Sequence, residues 1–106
     1  MSKKIIYNKH LEKGRFYHRS DSNGGHPALI ISKNDRKNIY EALVFTSSHS
    51  VGTVALQESI DITNRNKRFY VHEKTFIGKR RDFGKKILTR LRIGAKDKQL
   101  IKLLKK

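Results

Sequence analysis

The sequence predicts a single small, mostly β domain, a compact barrel of short strands that ends in one helix. Three observations predict it: a length of 106 residues, a series of short apolar runs separated by turn residues, and one apolar helical stripe near the C-terminus. Only 36% of the residues are hydrophobic and 32% are charged, so we expect a thin core beneath charged faces. The expected parts are a basic N-terminal arm at 1–13, the barrel at 14–93 and the helix at 95–105.

The predicted strands follow the apolar runs and the turns between them. Residues 14–19 open the first strand, and the loop at 20–25 is rich in Ser, Asn and Gly, which favour turns. Pro27 fits the first residue of a strand because its nitrogen cannot donate a hydrogen bond. The next strands are predicted at 28–32 and 40–46, and weaker ones at 54–56, 59–62, 69–72, 75–77 and 87–93, the last with its alternation broken at Ile87 and Leu88.

The C-terminal segment predicts an amphipathic helix. Its apolar residues recur at helical spacing, while lysines occupy the other positions, so we expect the apolar stripe to pack on the barrel. The residues of this stripe are Leu100, Ile101, Leu103 and Leu104.

The charge distribution indicates a polyanionic partner. The chain has 25 Lys and Arg against 9 Asp and Glu, a formal net charge of +16. Residues 79–106 hold 12 basic and 2 acidic residues, and residues 1–19 hold 6 basic and 1 acidic, so the excess lies at the two ends. Solubility needs far less net charge, and self-repulsion destabilises a compact state unless a polyanion relieves it. We therefore expect RNA or a ribonucleoprotein to bind a surface that both ends share.

Several other classes of protein do not fit the composition. The absence of cysteine excludes disulfides and thiolate metal sites. No apolar run approaches the roughly 20 residues of a membrane span, and the basic N-terminus lacks the apolar stretch of a signal peptide. No His, Asp or Glu cluster has the spacing of metal ligands. We expect a cytoplasmic protein with no cofactor, no metal and no membrane partner.

Ordered motifs in the first half carry a family resemblance. A strand begins with Gly14, a Gly-rich loop runs through His26-Pro27 into an apolar strand, and a later apolar strand ends on Thr46-Ser47. In this order they resemble the MazF/PemK toxin family, whose order the segments at 75–93 also follow. The resemblance implies an SH3-like β-barrel, commonly a homodimer, that cleaves single-stranded RNA sequence-specifically without metal and pairs with an acidic antitoxin-like protein. The matching segments are 14–17, 23–31, 34–35 and 43–48.

His26 departs from the family pattern, which has Arg before the Pro. The resemblance implies that this Arg acts on the phosphate and in proton transfer, assisted by the hydroxyl of Thr46 or Ser47. A neutral imidazole cannot reproduce a bidentate, permanently charged clamp. Histidine is, however, the natural general acid or base near neutral pH. The substitution therefore either disables the chemistry or changes how it is performed.

The histidines also give a catalytic hypothesis of their own. Metal-free RNA cleavage needs a base for the 2′-hydroxyl proton, an acid for the 5′-oxygen and a cation near the phosphate. His18 and His26 flank the Gly-rich loop, and His49 follows the strand that ends at Thr46-Ser47. We predict that His26 and His49 form the catalytic pair, with Lys or Arg nearby. The alternative is that the five histidines are scattered surface residues or RNA-stacking contacts.

Basic residues interleaved with aromatic ones favour binding of single-stranded nucleic acid, whose bases stack and whose phosphates need cations. Arg90 and Arg92 lie two residues apart and are expected to project from one strand face. Core packing is the alternative for the aromatic residues Phe69, Phe76 and Phe83. The candidate nucleic-acid-binding residues are Arg15, Arg19, Arg65, Lys67, Arg68, Lys79, Arg80, Arg81, Lys85, Lys86, Arg90 and Arg92.

Three functions remain open at this point. The first is a toxin-like endoribonuclease. The second is a non-catalytic toxin-like fold from a mobile element that inhibits a ribonucleoprotein, such as a CRISPR effector, by binding its RNA or protein. The third is a basic accessory factor of ribosome or plasmid DNA metabolism, which would bind duplexes tightly but with little specificity. The His26 departure favours the second over the first, while the order of the motifs favours the first.

Overall fold

One antiparallel sheet contains most of the strands described. The computed structural model describes residues 10–19, 26–63 and 68–104, and in this part six strands join in the order β1-β2-β3-β6-β4, with β7 also paired to β3. A second sheet pairs β5 with β8. The strands are β1 Phe16–Arg19, β2 His26–Asn34, β3 Ile39–Thr46, β4 Thr53–Ala55, β5 Ile60–Asp61, β6 Tyr70–His72, β7 Phe76–Gly78 and β8 Leu91–Arg92, followed by the helix α1 Ala95–Leu104.

Strand β3 joins the two parts of the main sheet. Its first half pairs with β7, where Ala42 lies opposite Phe76, and its last residues pair with β6, where Phe45 lies opposite Val71. A shift of register in β2 after Ile30 marks a bulge, which bends a strand and increases its twist. These features curl the sheet, and the predicted fold, a mostly β barrel with a C-terminal helix, is confirmed.

Apolar residues are buried on both faces of the sheet. Because side chains alternate along a strand, Leu43 and Phe45 of β3 join one cluster, while Ala42 and Val44 join the other. The first cluster also takes up Ile101 of the helix. The two clusters together contain Phe16, Leu29, Ile31, Leu56, Phe69, Val71 and Leu91 on one face and Leu11, Tyr17, Ala28, Ile30, Tyr40 and Phe83 on the other.

The end of the predicted N-terminal arm is packed against the barrel. Residues 10–13 belong to no strand or helix, yet Leu11 is fully buried and its carbonyl accepts a hydrogen bond from Lys33 Nζ at 2.9 Å. The hydroxyl of Tyr17 accepts the N–H of Glu12 at 2.9 Å. The described part of the arm is therefore anchored, and residues 1–9 lie outside the described residues.

The last predicted strand is much shorter than its apolar run. Only Leu91–Arg92 pair with β5, whereas the preceding segment runs beside β1. The N–H of Leu88 donates to the carbonyl of Phe16 at 2.8 Å, and the N–H of Gly84 donates to the carbonyl of His18 at 2.7 Å. The break in alternation at Ile87 and Leu88 marks this change of partner.

A buried carboxylate anchors the helix. Asp97 is 2% exposed, and its oxygens accept the N–H groups of Gln57 at 2.8 Å, Glu58 at 2.8 Å and Ser59 at 2.6 Å. Burial alone would raise the pKa of Asp97, but these hydrogen bonds outweigh it and hold the pKa below its ordinary value. Leu103, which the sequence placed in the apolar stripe, is 67% exposed, so the carboxylate supplies attachment that the stripe alone does not.

We expect Asp97→Asn to lower the free energy of unfolding by about 3 kcal/mol, because an uncharged amide leaves buried N–H groups poorly satisfied. Asp82→Asn is the matched control, since that carboxylate accepts the N–H of Lys79 at an exposed turn. Urea denaturation of both variants measures the difference. Equal losses in the two variants would contradict the anchoring role.

Protonation of the Asp97 carboxylate at low pH should reduce the free energy of unfolding. Because its pKa is lower in the folded protein than the ordinary 3.8, its contribution is present above that value and is lost as the pH falls through the folded-state pKa. Denaturation repeated between neutral and acid pH should show wild type and Asp97→Asn converging at the lowest pH. A stability difference that does not depend on pH would argue against this linkage.

Candidate active site and nucleic-acid interface

The ends of β1, β2 and β3 meet at one edge of the sheet. Arg19 at the end of β1 lies opposite His26 at the start of β2. Ala28 pairs with Val44, and continuing this antiparallel register by two residues sets His26 opposite Thr46. Opposed side chains project to the same face, so β-pairing alone brings a guanidinium, an imidazole and a hydroxyl together.

A cleft of about 300 Å³ opens at this edge, and we call it the histidine cleft. It contains His26 together with both hydroxyl residues that the family resemblance indicated. It also contains His18, which flanks the same loop as His26 in the sequence, and Arg90, which the sequence analysis named only as a nucleic-acid-binding candidate. The lining residues are His18, His26, Pro27, Thr46, Ser47, Phe69 and Arg90.

The two hydroxyl residues differ in their surroundings. Thr46 is 7% exposed, and its hydroxyl oxygen accepts the N–H of Ser48 at 3.2 Å. A hydroxyl that accepts one hydrogen bond keeps its own proton for donation. Ser47 is exposed to solvent. The hydroxyl of Thr46 is thus held in position by a hydrogen bond and can donate its proton, whereas the hydroxyl of Ser47 is more accessible to solvent.

Arg90 is fixed in the histidine cleft by a buried carboxylate. Its Nε donates to Asp61 Oδ2 at 3.1 Å, and Asp61 is only 3% exposed. The hydroxyl of Thr63 lowers the pKa of Asp61 most, its N–H and Arg90 lower it further, and together they outweigh burial. The carboxylate therefore stays ionised and orients a permanently charged guanidinium at the cleft. Sequence spacing gave no signal for this pair, which is separated by 29 positions.

His49 does not line the histidine cleft. Its ring lies against Tyr70 with the centroids 5.0 Å apart and the planes inclined by 37°. Residues 47–50 have left the sheet, so the strand register that places Thr46 beside His26 no longer governs them. The histidine cleft is therefore lined by His26 with His18, Thr46 and Ser47, and His49 is not among its lining residues.

A second cleft lies between the sheet and the turns that join β3 to β4 and β6 to β7, and we call it the β6–β7 cleft. It has a volume of about 490 Å³, and the guanidinium of Arg19 lies over the ring of Phe76 at 4.2 Å. Burial, and then the positive charges of His26 and Arg19, lower the pKa of His72 below its ordinary value of 6.5. The cleft is lined by Arg19, Val44, Val51, Gly52, His72, Glu73, Lys74, Thr75 and Phe76.

The described parts of the two basic ends contact each other along β1. Residues 83–88 run along β1, which brings the lysines at 85 and 86 beside the N-terminal strand. A third cleft of about 350 Å³, which we call the basic groove, is lined by Arg15 from one end and by Arg92 and Lys98 from the other. This groove is the part of the surface where both basic ends contribute to one concave site.

The candidate nucleic-acid-binding residues differ in whether their side chains are available to bind RNA. Arg80 Nη1 donates to the carbonyls of Phe83 and Gly84 at 3.2 and 3.3 Å, so its side chain stabilises the local turn. Arg90 and Arg92 line different clefts, and Arg90 lies outside the two-residue strand β8, so their projection from one strand face stays a prediction. The exposed candidates are Arg15, Arg68, Lys79, Arg81, Lys85, Lys86 and Arg92, while Arg65 and Lys67 lie outside the described residues.

The core-packing alternative holds for two of the three aromatic residues. Phe69 and Phe83 are each 4% exposed and belong to the two apolar clusters. Phe76 is only partly buried and faces the β6–β7 cleft.

Metal ligation and membrane insertion have no visible basis in the part of the chain described. Within 10–19, 26–63 and 68–104, no group of three or more His, Asp and Glu side chains is placed to hold one metal ion. No helix among the same residues has the length and apolar character needed to cross a membrane.

The fold resembles that of a solved toxin structure. A chain described as an endoribonuclease in complex with its cognate antitoxin, from a mycobacterial species, superposes with a TM-score of 0.59. It is 19% identical in sequence, and the match covers 89% of this chain and 87% of that one. No protein-family model matches the sequence, and neither does any curated protein compared with it. The comparison shows a shared fold, a mostly antiparallel β domain with one C-terminal helix.

Because burial and then the charge of His26 lower the pKa of His72, removing His26 should change the pKa of His72. His26→Gln removes a positive neighbour of His72, so the pKa of His72 should rise toward its ordinary value. NMR titration of the imidazole carbon-bound protons measures this, with His10→Gln as the control because His10 faces Asp35 instead. An unchanged His72 titration in His26→Gln would show that the two imidazoles are not coupled.

Proposed function

We propose that this protein is a metal-independent endoribonuclease of the MazF/PemK type, acting on single-stranded RNA in the histidine cleft. The observation that carries the proposal is the cleft itself, where His18 and His26 lie with two hydroxyl residues and Arg90. The fold shared with a solved endoribonuclease supports the same assignment.

The chemistry requires two proton transfers, and two histidine residues, His18 and His26, line the cleft. A neutral imidazole takes the proton of the ribose 2′-hydroxyl, and the 2′-oxygen attacks the adjacent phosphorus. The bond from phosphorus to the 5′-oxygen breaks, and a protonated imidazole gives its proton to that oxygen. The products are a 2′,3′-cyclic phosphate and a 5′-hydroxyl. His26 and His18 fill these roles because imidazole exchanges protons near neutral pH.

Arg90 supplies the cation that His26 cannot. Negative charge grows on the non-bridging phosphate oxygens as the 2′-oxygen attacks, and a fixed guanidinium stabilises that charge without reorganising. The ion pair with Asp61 holds the group in place before the substrate arrives. The hydroxyls of Thr46 and Ser47 can donate to the same oxygens. The arginine missing at position 26 is thus replaced in function from another strand end.

The basic groove extends the site along the RNA. Arg15, Arg92 and Lys98 line it, and Lys86 lies on the adjoining segment 83–88. Such groups neutralise phosphates on either side of the scissile bond and give sequence-independent affinity.

Two partner assignments belong to the same proposal. The compared endoribonuclease is bound to an antitoxin, and a chain of net charge +16 would attract an acidic protein of that kind. The homodimer that the family resemblance implies remains a prediction. Inhibition of a ribonucleoprotein without catalysis is the alternative, and it becomes the conclusion if RNA is bound but never cut.

Cleavage of a labelled RNA pool in the presence of a chelator tests the catalytic assignment. We expect His26→Ala and His18→Ala each to lower the single-turnover rate at least about 100-fold, since each removes a proton-transfer group. His49→Ala is the matched control and should cleave nearly as fast as wild type. Products ending in 2′,3′-cyclic phosphate are expected.

Two other results would favour the binding-only function or a different catalytic pair. Wild-type protein that binds the pool but leaves it uncut would overturn the enzyme and support the binding-only function. A large loss in His49→Ala with none in His18→Ala would restore the pair that the sequence alone predicted.

The basic groove predicts a salt-dependent affinity. Removing one phosphate contact should reduce the slope of log affinity against log salt by about 0.7 for single-stranded RNA, so Arg92→Gln and Lys86→Gln should each flatten it. Lys37→Gln is the control, because Lys37 lies in the β2–β3 turn at the opposite end of the sheet from His26. Fluorescence anisotropy across a salt series measures the slope, and equal slopes in all variants would place the RNA elsewhere.

A further inference from the structure

We infer that the β6–β7 cleft is a nucleobase subsite that selects guanine next to the scissile phosphate. The inference rests on the proposed RNA-cleaving function and names one base that the site would select and the cleft that would bind it. It is argued from the position of Arg19, the lining of the cleft and the connection of the cleft to His26.

The guanidinium of Arg19 is held in the cleft by an aromatic ring. It lies over the ring of Phe76 at 4.2 Å, a cation–π contact that restrains its position. Its Nε is buried without a hydrogen-bond partner, and no carboxylate among the described residues forms an ion pair with it. Arg19 as a whole is half-buried and lines the cleft, so its terminal N–H groups are the donors that a ligand in the cleft would meet.

The rest of the lining suits a flat aromatic ligand. Val44 and Phe76 provide apolar walls, and Val51 projects at the mouth with its side chain fully exposed. The turn beside it needs Gly52, whose φ is +86°, a conformation that residues with a side chain rarely adopt. Exposed apolar surface next to a stacked cation is the combination that binds unstacked bases in single-stranded RNA.

The polar groups of the cleft favour guanine over the other bases. Arg19 and Lys74 are donors only, and Glu73 is an acceptor when ionised. Guanine has two neighbouring acceptors, O6 and N7, for the cations and two N–H donors, at N1 and N2, for a carboxylate. Adenine offers a donor where guanine has O6. His72 stays neutral near pH 7 because its pKa is lowered, so it adds no further positive charge beside the base.

The cleft is continuous with the proposed catalytic residues. Arg19 is the cross-strand partner of His26, and such partners have their Cβ atoms about 4.5–5.5 Å apart. His72 on β6 also senses the charge of His26. A base bound between Arg19 and Glu73 therefore belongs to a nucleotide adjoining the phosphate in the histidine cleft.

Titration of the full chain with mononucleotides tests the subsite directly. The probes are the 5′-monophosphates of guanosine, adenosine, cytidine and uridine, with inorganic phosphate as a fifth ligand. We expect the guanine nucleotide to shift the NMR signals of residues 51–52 and 72–76 and to bind about tenfold more tightly than the others. Equal affinity for all five ligands, or shifts confined to the basic groove, would overturn the inference.

Substitutions of two cleft residues distinguish recognition of the base from general electrostatic attraction between the protein and phosphate. Glu73→Gln and Arg19→Lys should each weaken the guanine nucleotide about tenfold while leaving inorganic phosphate unchanged. Glu12→Gln is the control for the carboxylate, because Glu12 pairs with Arg15 away from the cleft. Unchanged guanine binding in Glu73→Gln and Arg19→Lys would refute the assignment of these two groups.

The cleavage pattern separates this inference from the proposed enzyme. Sequencing of the RNA products should show guanine at one fixed position beside the cut in wild type, and that preference should relax in Glu73→Gln. Cleavage with no base preference and no guanine binding would refute the subsite and leave the enzyme intact. Guanine binding that persists in His26→Ala, with RNA uncut even by wild type, would support the subsite and refute the enzyme.

Discussion

The antiparallel register of β1, β2 and β3 is the constraint on which the site depends. It places Arg19 opposite His26 and carries Thr46 to the same edge. A slip of one residue would send every side chain to the other face, and this sheet has apolar residues buried on both faces. Ile30 and Leu43, which belong to opposite clusters, are both fully buried. Core packing that is needed for stability therefore also fixes the geometry of the functional groups.

Charge at the site is supplied by side chains that the fold holds in place. Arg90 is tied to buried Asp61, and Arg19 is held against Phe76, so two guanidinium groups flank His26 from different elements. In the proposed enzyme, histidine at position 26 adds proton transfer, while the cations come from these two arginines. The basic groove adds Arg15, Arg92 and Lys98, so positive side chains from both ends of the described chain contribute to the proposed RNA-binding surface.

The sequence predicted the features that local patterns determine, and it missed the side-chain pairs that join positions far apart in the chain. Apolar runs located the main strands and the helix, and the motif order placed His26 with Thr46 and Ser47. The anchoring of Asp97 and the pairing of Asp61 with Arg90 join positions 38 to 40 and 29 residues apart, so no spacing rule reveals them. His49 was predicted in the site because it follows a strand end. It does not line the histidine cleft, since spacing does not set the direction of a loop beyond its strand, and its catalytic role stays a prediction.

The dependence of the RNA cleavage rate on pH, measured in chelator under single-turnover conditions, tests the central claim most directly. Two histidines acting as base and acid predict a bell-shaped profile with both limbs between about pH 5 and 8, and His26→Ala should lose one limb as well as rate. A rate that climbs steadily through this range in wild type, or that is independent of pH, would contradict proton transfer by the histidine cleft.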